Sequence, residues 1–206
     1  MRLATLLDRA DALSAEVSRE LDGTYPNDDR IKLLVAYVDV ALEHHAAITL
    51  LVRNNRCGSA FALVRVVFDA LYRALWVRGC ATSADIANIV ADTTAAFPNM
   101  NALTGAVDQA YGTDGFFAIV KQSGWTAMND YTHSGLRQLG RRFKGTNVEP
   151  TYEQGAIREA VRNTAVFVAL LGILLAKTAQ RAAESTHIES ALSSFIDDSS
   201  TPIASS

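Results

Sequence analysis

The stretch NDYTHSGLRQLGRRF places Asn129, His133, Arg137 and Arg141 at four-residue steps. On a helix, residues so spaced form one stripe. An imidazole exchanges protons near neutral pH, and a guanidinium one turn away stabilises an anion. Together they meet the needs of phosphodiester cleavage through a ribose 2′-hydroxyl. In that reading His133 is the acid or base, Arg137 and Arg65 hold the phosphate, and Asn129 and Tyr131 position the substrate. The opposing reading is a solvated basic face, since helical spacing makes the residues neighbours without placing them in a cleft.

Arg65 enters from a second segment, SAFALVRVVFDALYRALWVRG. It interrupts a valine-rich run, and Asp69 and Arg73 follow at four-residue steps, so a charged face runs along an otherwise apolar helix. One reading is an Arg65–Asp69 ion pair at the edge of a bundle, with Tyr72 closing over it. The other gives Arg65 an anionic ligand to hold, or a second residue to orient. If the two segments form one site, Arg65, Asp69 and the Tyr131–His133 segment meet across neighbouring helices.

Other chemistries fit less well. Glu184 and His187 have the spacing of a di-iron bundle ligand pair, but a second such motif and the further glutamates are missing. His44 and His45 are adjacent, point about 100° apart on a helix, and beside Glu43 read as surface or interface groups. No Gly-rich phosphate loop, Gly-x-Ser-x-Gly elbow or Cys–His nucleophile pair is present. No cofactor and no metal is called for.

Several long helices must position these groups. The chain has 206 residues, 49% hydrophobic and 20% charged, with a net charge of −3; this suits one folded, soluble domain and excludes a general nucleic-acid or anionic-membrane coat. Helical periodicity dominates. It runs from the N-terminus to the turn formers GTYPNDD, from about Asp28 to Val52, from Ala60 to about Arg78, from Trp125 to Phe143, and from about Glu153 to Glu184. Met128, Tyr131, Leu136 and Leu139 are expected to face the core. Short helical pieces broken by FPNMN, YGTDG and QSG lie between the third and fourth helices and read as a lid or cap, and KGTNVEPTYEQG reads as a polar connection. The fold class predicted is all-α, an antiparallel bundle of about four long helices with short helices inserted in the middle. Residues 1–190 form the single domain, and 191–206 a flexible, Ser-rich tail.

The apolar run Ala165 to Ala176 is shorter than the roughly 18 residues of a spanning helix, so no membrane partner is expected. Its scarcity of polar residues suggests that a second copy covers part of it, giving a homodimer. Cys57 and Cys80 are too few for a disulfide scaffold and point to a reducing cytoplasm.

The segments Arg53–Trp76 and Met128–Phe143 resemble an uncharacterised bacterial family of helical proteins. That family carries an Arg-acid-aromatic helix and a later Tyr-x-His-Ser-Gly segment, and the resemblance maps onto Arg65, Asp69, Trp76, Tyr131, His133 and Gly135. It is similar in turn to HEPN-like bundles of the abortive-infection and toxin–antitoxin kind, in which a ribonuclease motif of Arg, four to six residues, then His is common. The uncharacterised family brings no activity with it; the HEPN-like similarity implies an RNA-directed protein and a metal-independent ribonuclease, and the residues themselves make His133, Arg137 and Arg65 the catalytic candidates and Asp69, Tyr72, Trp76, Asn129, Tyr131 and Arg141 the binding candidates. The HEPN spacing itself occurs only at Arg181 to His187, with Ala182 where a polar residue is usual, and reads as coincidence. The alternative class is a non-catalytic helical module that self-associates or binds a protein partner.

Overall fold

Apolar residues at three- and four-residue steps set the first element. Helix α1 (Leu3–Glu20) buries Leu6, Leu7, Ala10, Leu13 and Val17 along one face. Helix α2 (Asp29–Arg53) starts where the Asp28 carboxylate accepts the Ile31 amide, an N-cap bond. A short turn through Asn55, with φ of 57°, sends α3 (Cys57–Gly79) back along α2. The computed structural model describes residues 1–91 and 97–199, and within them the protein is all-α apart from one small hairpin.

The inserted pieces are α4 (Ser83–Val90), opened by a Thr82–Asp85 capping box, and α5 (Met100–Tyr111), which packs on α3. Helix α6 (Phe116–Thr132) follows. Its first turn is capped from outside: the Asp108 carboxylate accepts the amides of Phe117 and Ala118 and the Thr113 hydroxyl. Burial would raise that carboxyl, but these three donors hold it below the usual carboxylate range. Then come the one-turn α7 (Leu136–Gly140) and the strands β1 (Phe143–Lys144) and β2 (Asn147–Val148), paired antiparallel. Helices α8 (Gln154–Thr178) and α9 (Ala182–Ser199) are the last described elements.

The core forms around α8, which packs against α1, α2, α3 and α9. At Gly172 an added Cβ would fall 2.8 Å from a Val17 methyl of α1 and 3.3 Å from the Ile188 side chain of α9, so side chains of both helices rest directly on the α8 backbone there. By length and composition both α2 and α8 could cross a membrane, but 61% of the apolar window of α8 is buried inside the bundle. Four helices of the same chain cover Ala165 to Ala176, and Leu170 is the large apolar residue of that run left exposed. The cover of this run that was expected from a second copy comes largely from within the chain.

Four expectations about elements are corrected. The long last helix is two helices, broken where Gln180 takes φ of 60°. The tail expected from residue 191 is helical as far as Ser199, with Leu192 and Phe195 buried, and residues 200–206 lie outside the described residues. The helix expected from Trp125 to Phe143 ends at Thr132. Within KGTNVEPTYEQG a hairpin forms, because Gly145 at φ of 61° reverses the chain between β1 and β2.

His45 is a fifth correction. It is fully buried, not a surface group, and its Nδ1 lies 3.0 Å from the Thr164 hydroxyl oxygen. That hydroxyl donates to the carbonyls of Ala160 and Val161, so Nδ1 is the protonated nitrogen and donates to it. Nε2 is buried with no hydrogen-bond partner among the described residues, and desolvation pushes the imidazole pKa below 6.5, against the pull of Asp11 and the Ala10 carbonyl. A depressed folded pKa stabilises the fold above the unfolded value and loses that contribution as pH falls. Unfolding free energy is expected to drop as pH falls below about 6.5, with a smaller drop in His45→Gln. Chemical denaturation of both proteins between about pH 7 and pH 5 measures it, and equal slopes would contradict the assignment.

Candidate functional site

The polar residues of the two segments meet where the end of α6 crosses α3. Trp125, Asn129 and His133 share one face of α6 at four-residue steps, and Arg65 and Asp69 share one face of α3. Arg65 Nη1 lies 3.1 Å from His133 Nε2, across 68 residues of sequence. Arginine has only donors, so it donates and Nε2 accepts, which leaves the proton of a neutral His133 on Nδ1. The Arg65 guanidinium also lies over the Trp125 ring, 4.7 Å from its centroid, and its Nε is 3.7 Å from Asp69 Oδ2. Three contacts thus hold one planar cation, while His133 itself is exposed.

Asp69 is the carboxylate partner of Arg65 in this group. Burial raises its carboxyl, and the charges of Arg65 and Arg73 pull it back without cancelling the rise. Asp69 Oδ1 and Asn129 Oδ1 are both buried with no hydrogen-bond partner among the described residues. Arg73 sits over the Phe97 ring, and Trp76 meets the same ring edge-on, so Trp76 is an apolar support for Arg73. Tyr72 is 1% exposed, stacks on Phe68 and donates its hydroxyl to the Phe117 carbonyl at 2.8 Å. It ties α3 to the start of α6 and does not close over Arg65.

The four-step stripe from Asn129 to Arg141 does not exist as one helical face. His133 is the C-cap of α6, Ser134 adopts φ of 55°, and the Gly135 amide donates to the Asp130 carbonyl at 2.7 Å, a Schellman-type closure. An added Cβ at Gly135 would lie 2.5 Å from Asp130 Oδ1, so the His-Ser-Gly sequence is the turn itself. Beyond it Arg137 lies 3.7 Å from Asp130 and Arg141 2.7 Å from Glu153. Both arginines line a cleft of about 880 Å³ between α3, α6 and α8, whose lining does not include Arg65 or His133. Tyr131 lines it too, in a three-ring cluster with Phe61 at 4.8 Å and Tyr152 at 6.4 Å.

The cover of this cleft also differs from expectation. It is α7 and the hairpin, through Gly140 and Phe143, while α4 and α5 pack on α2, α3 and α6. Met128 faces the core as expected, but Leu136 is 83% and Leu139 51% exposed, because the turn at Ser134 rotates α7 away.

Two further pairs resolve into structural roles. The Arg181 guanidinium donates to the carbonyls of Glu20, Leu21 and Asp22 at the end of α1, and His187 Nδ1 is 3.0 Å from Glu20 Oε2. The HEPN-like spacing there lashes α9 to α1. Cys57 is buried and Cys80 half-buried, and neither is in a disulfide. Among the described residues no three His, Cys, Asp or Glu side chains are grouped to hold a metal ion.

Trp125 is the site residue that sequence reading missed. Its signal was present: it lies one step of four before Asn129 on the same face.

A family model described as a family of unknown function (DUF6988) matches residues 38–200. That span runs from within α2 to the end of α9 and contains both segments of the site. Neither a curated protein nor a solved structure matches the chain.

Proposed function

The chain belongs to that family of unknown function, and from this premise we propose that it is an RNA-directed, HEPN-like protein that cleaves a phosphodiester at His133 and Arg65. The observation that carries the reading is the 3.1 Å contact between Arg65 Nη1 and His133 Nε2, made at the surface by a guanidinium already fixed by Trp125 and Asp69. A phosphate that draws Arg65 from Nε2 frees a base lone pair beside the charge it has just bound. His133 then takes the proton of a ribose 2′-hydroxyl, and that oxygen attacks phosphorus. The bond to the 5′-oxygen breaks, the 5′-oxygen takes a proton from water, and a 2′,3′-cyclic phosphate and a 5′-hydroxyl result. Arg65 stabilises the charge on the non-bridging oxygens. The unpartnered oxygens of Asp69 and Asn129 supply buried acceptors next to the pair.

The test is incubation of purified protein with a mixed RNA pool in the presence of a chelator, with analysis of the ends. Cyclic phosphate ends are expected; intact RNA after long incubation, in parallel with a folded spectrum, removes the reading.

A second reading has its own observation. Leu136, Leu139, Phe143 and Val148 on α7 and the hairpin are all more than half exposed, a patch that suits self-association or protein binding. In that reading a second copy sits on this face, and not on α8.

A further inference from the structure

The cleft on the other side of α6 from the Arg65–His133 pair is a separate feature. Its walls are apolar, from Phe61 and Phe68 of α3, Met128 of α6 and Phe167 of α8. At about 880 Å³ it falls within the roughly 300–1,000 Å³ of small-molecule sites. Its polar groups are not scattered evenly. Arg137 and Arg141 come from the cover, and the adjoining smaller cleft, which shares Glu159 and Asn163 with it, adds Arg158 and Arg162. Four arginines and one glutamate line the joined clefts, and the carboxylates that pair with Arg137 and Arg141, those of Asp130 and Glu153, lie outside the lining. The Arg137 side chain is 61% exposed, and among the described residues its one ion pair is the long 3.7 Å approach to Asp130, so its donor fork is available to a ligand.

We propose that this cleft binds a small amphiphile, an apolar chain or ring system ending in an oxyanion, with the apolar body between α3, α6 and α8 and the oxyanion at Arg137 and Arg141. The charge balance argues against a cation, and the aromatic and methionine walls argue against a wholly polar metabolite. A carboxylate and a phosphate monoester share the chemistry that the guanidinium fork reads.

Titration calorimetry with decanoate, decyl phosphate and decan-1-ol tests it on the full chain. The two anions are expected to bind in a one-to-one complex, each about tenfold or more tighter than the alcohol, and the tighter of the two identifies the head group. Arg137→Ala should bring the anions down to the level of the alcohol. Gly124→Leu should abolish binding of all three, because a Cβ at Gly124 meets only the Met128 methyl at 3.5 Å and the leucine then fills the cleft. Ala160→Leu fills it from the α8 side and serves if the first variant does not fold. Equal affinity for alcohol and anions, or unchanged binding in a folded cleft-filling variant, overturns the proposal.

Discussion

Alanine in place of His133 is expected to lower RNA cleavage by about two to four orders of magnitude and to shift the melting temperature by less than about 2 °C. The two readouts move apart because of where the side chain sits. His133 is exposed at the C-cap of α6, so its removal opens no cavity and leaves no buried group unpaired. Arg65 keeps Asp69 and Trp125 as partners. A histidine hydrogen-bonded within a core would have behaved oppositely, costing about 1–3 kcal/mol when replaced. Arg65→Lys separates charge from geometry: it retains the cation but loses the fork and the stacking on Trp125, and its cleavage should fall nearly as far as that of Arg65→Ala. Wild-type cleavage rates in His133→Ala would assign the activity elsewhere.

The largest loss of stability is expected at Tyr72. Its ring is 1% exposed, stacked on Phe68 at 4.2 Å and set edge-on against Phe117 at 5.6 Å. Tyr72→Ala removes the ring from a packed core and should cost about 3–5 kcal/mol. Tyr72→Phe keeps the ring but removes the hydroxyl's bond to the Phe117 carbonyl, which should cost about 0.5–1.5 kcal/mol. Denaturant unfolding of the two variants resolves the parts. A Tyr72→Phe loss as large as that of Tyr72→Ala would mean that the hydroxyl, and not the ring, holds α6 on α3.

Elements bounded by glycine, proline or a side-chain cap were legible in the sequence. The stretch GTYPNDD and the Asp28 cap delimit α1 and α2, and Asn54, Asn55 and Gly58 mark the turn into α3. The breaks that escaped share one cause. Ser134 and Gln180 reverse the chain in the left-handed region without a glycine to announce it, and periodicity simply runs through them. Missing the first joined Arg137 and Arg141 to the His133 face; missing the second merged α8 with α9. The Arg65–His133 contact was legible because both residues interrupt apolar patterns. The cleft was not, since its walls are ordinary core residues from three helices far apart in sequence.

The lashing of α9 onto α1 has a consequence for how the chain is made. α1 buries its apolar face against α8 and α9, and Arg9 donates to the Ser194 carbonyl across 185 residues. At about 5–20 residues per second of synthesis, the first helix waits roughly ten to thirty seconds for its partners to emerge. For that interval Leu6, Leu7, Leu13 and Val17 have no native cover beyond what α2 provides. Docking of α1 onto α8 and α9 closes contacts of high sequence separation, the kind that slow folding. A ribosome stalled before α8 would display α1 with most of its apolar face uncovered.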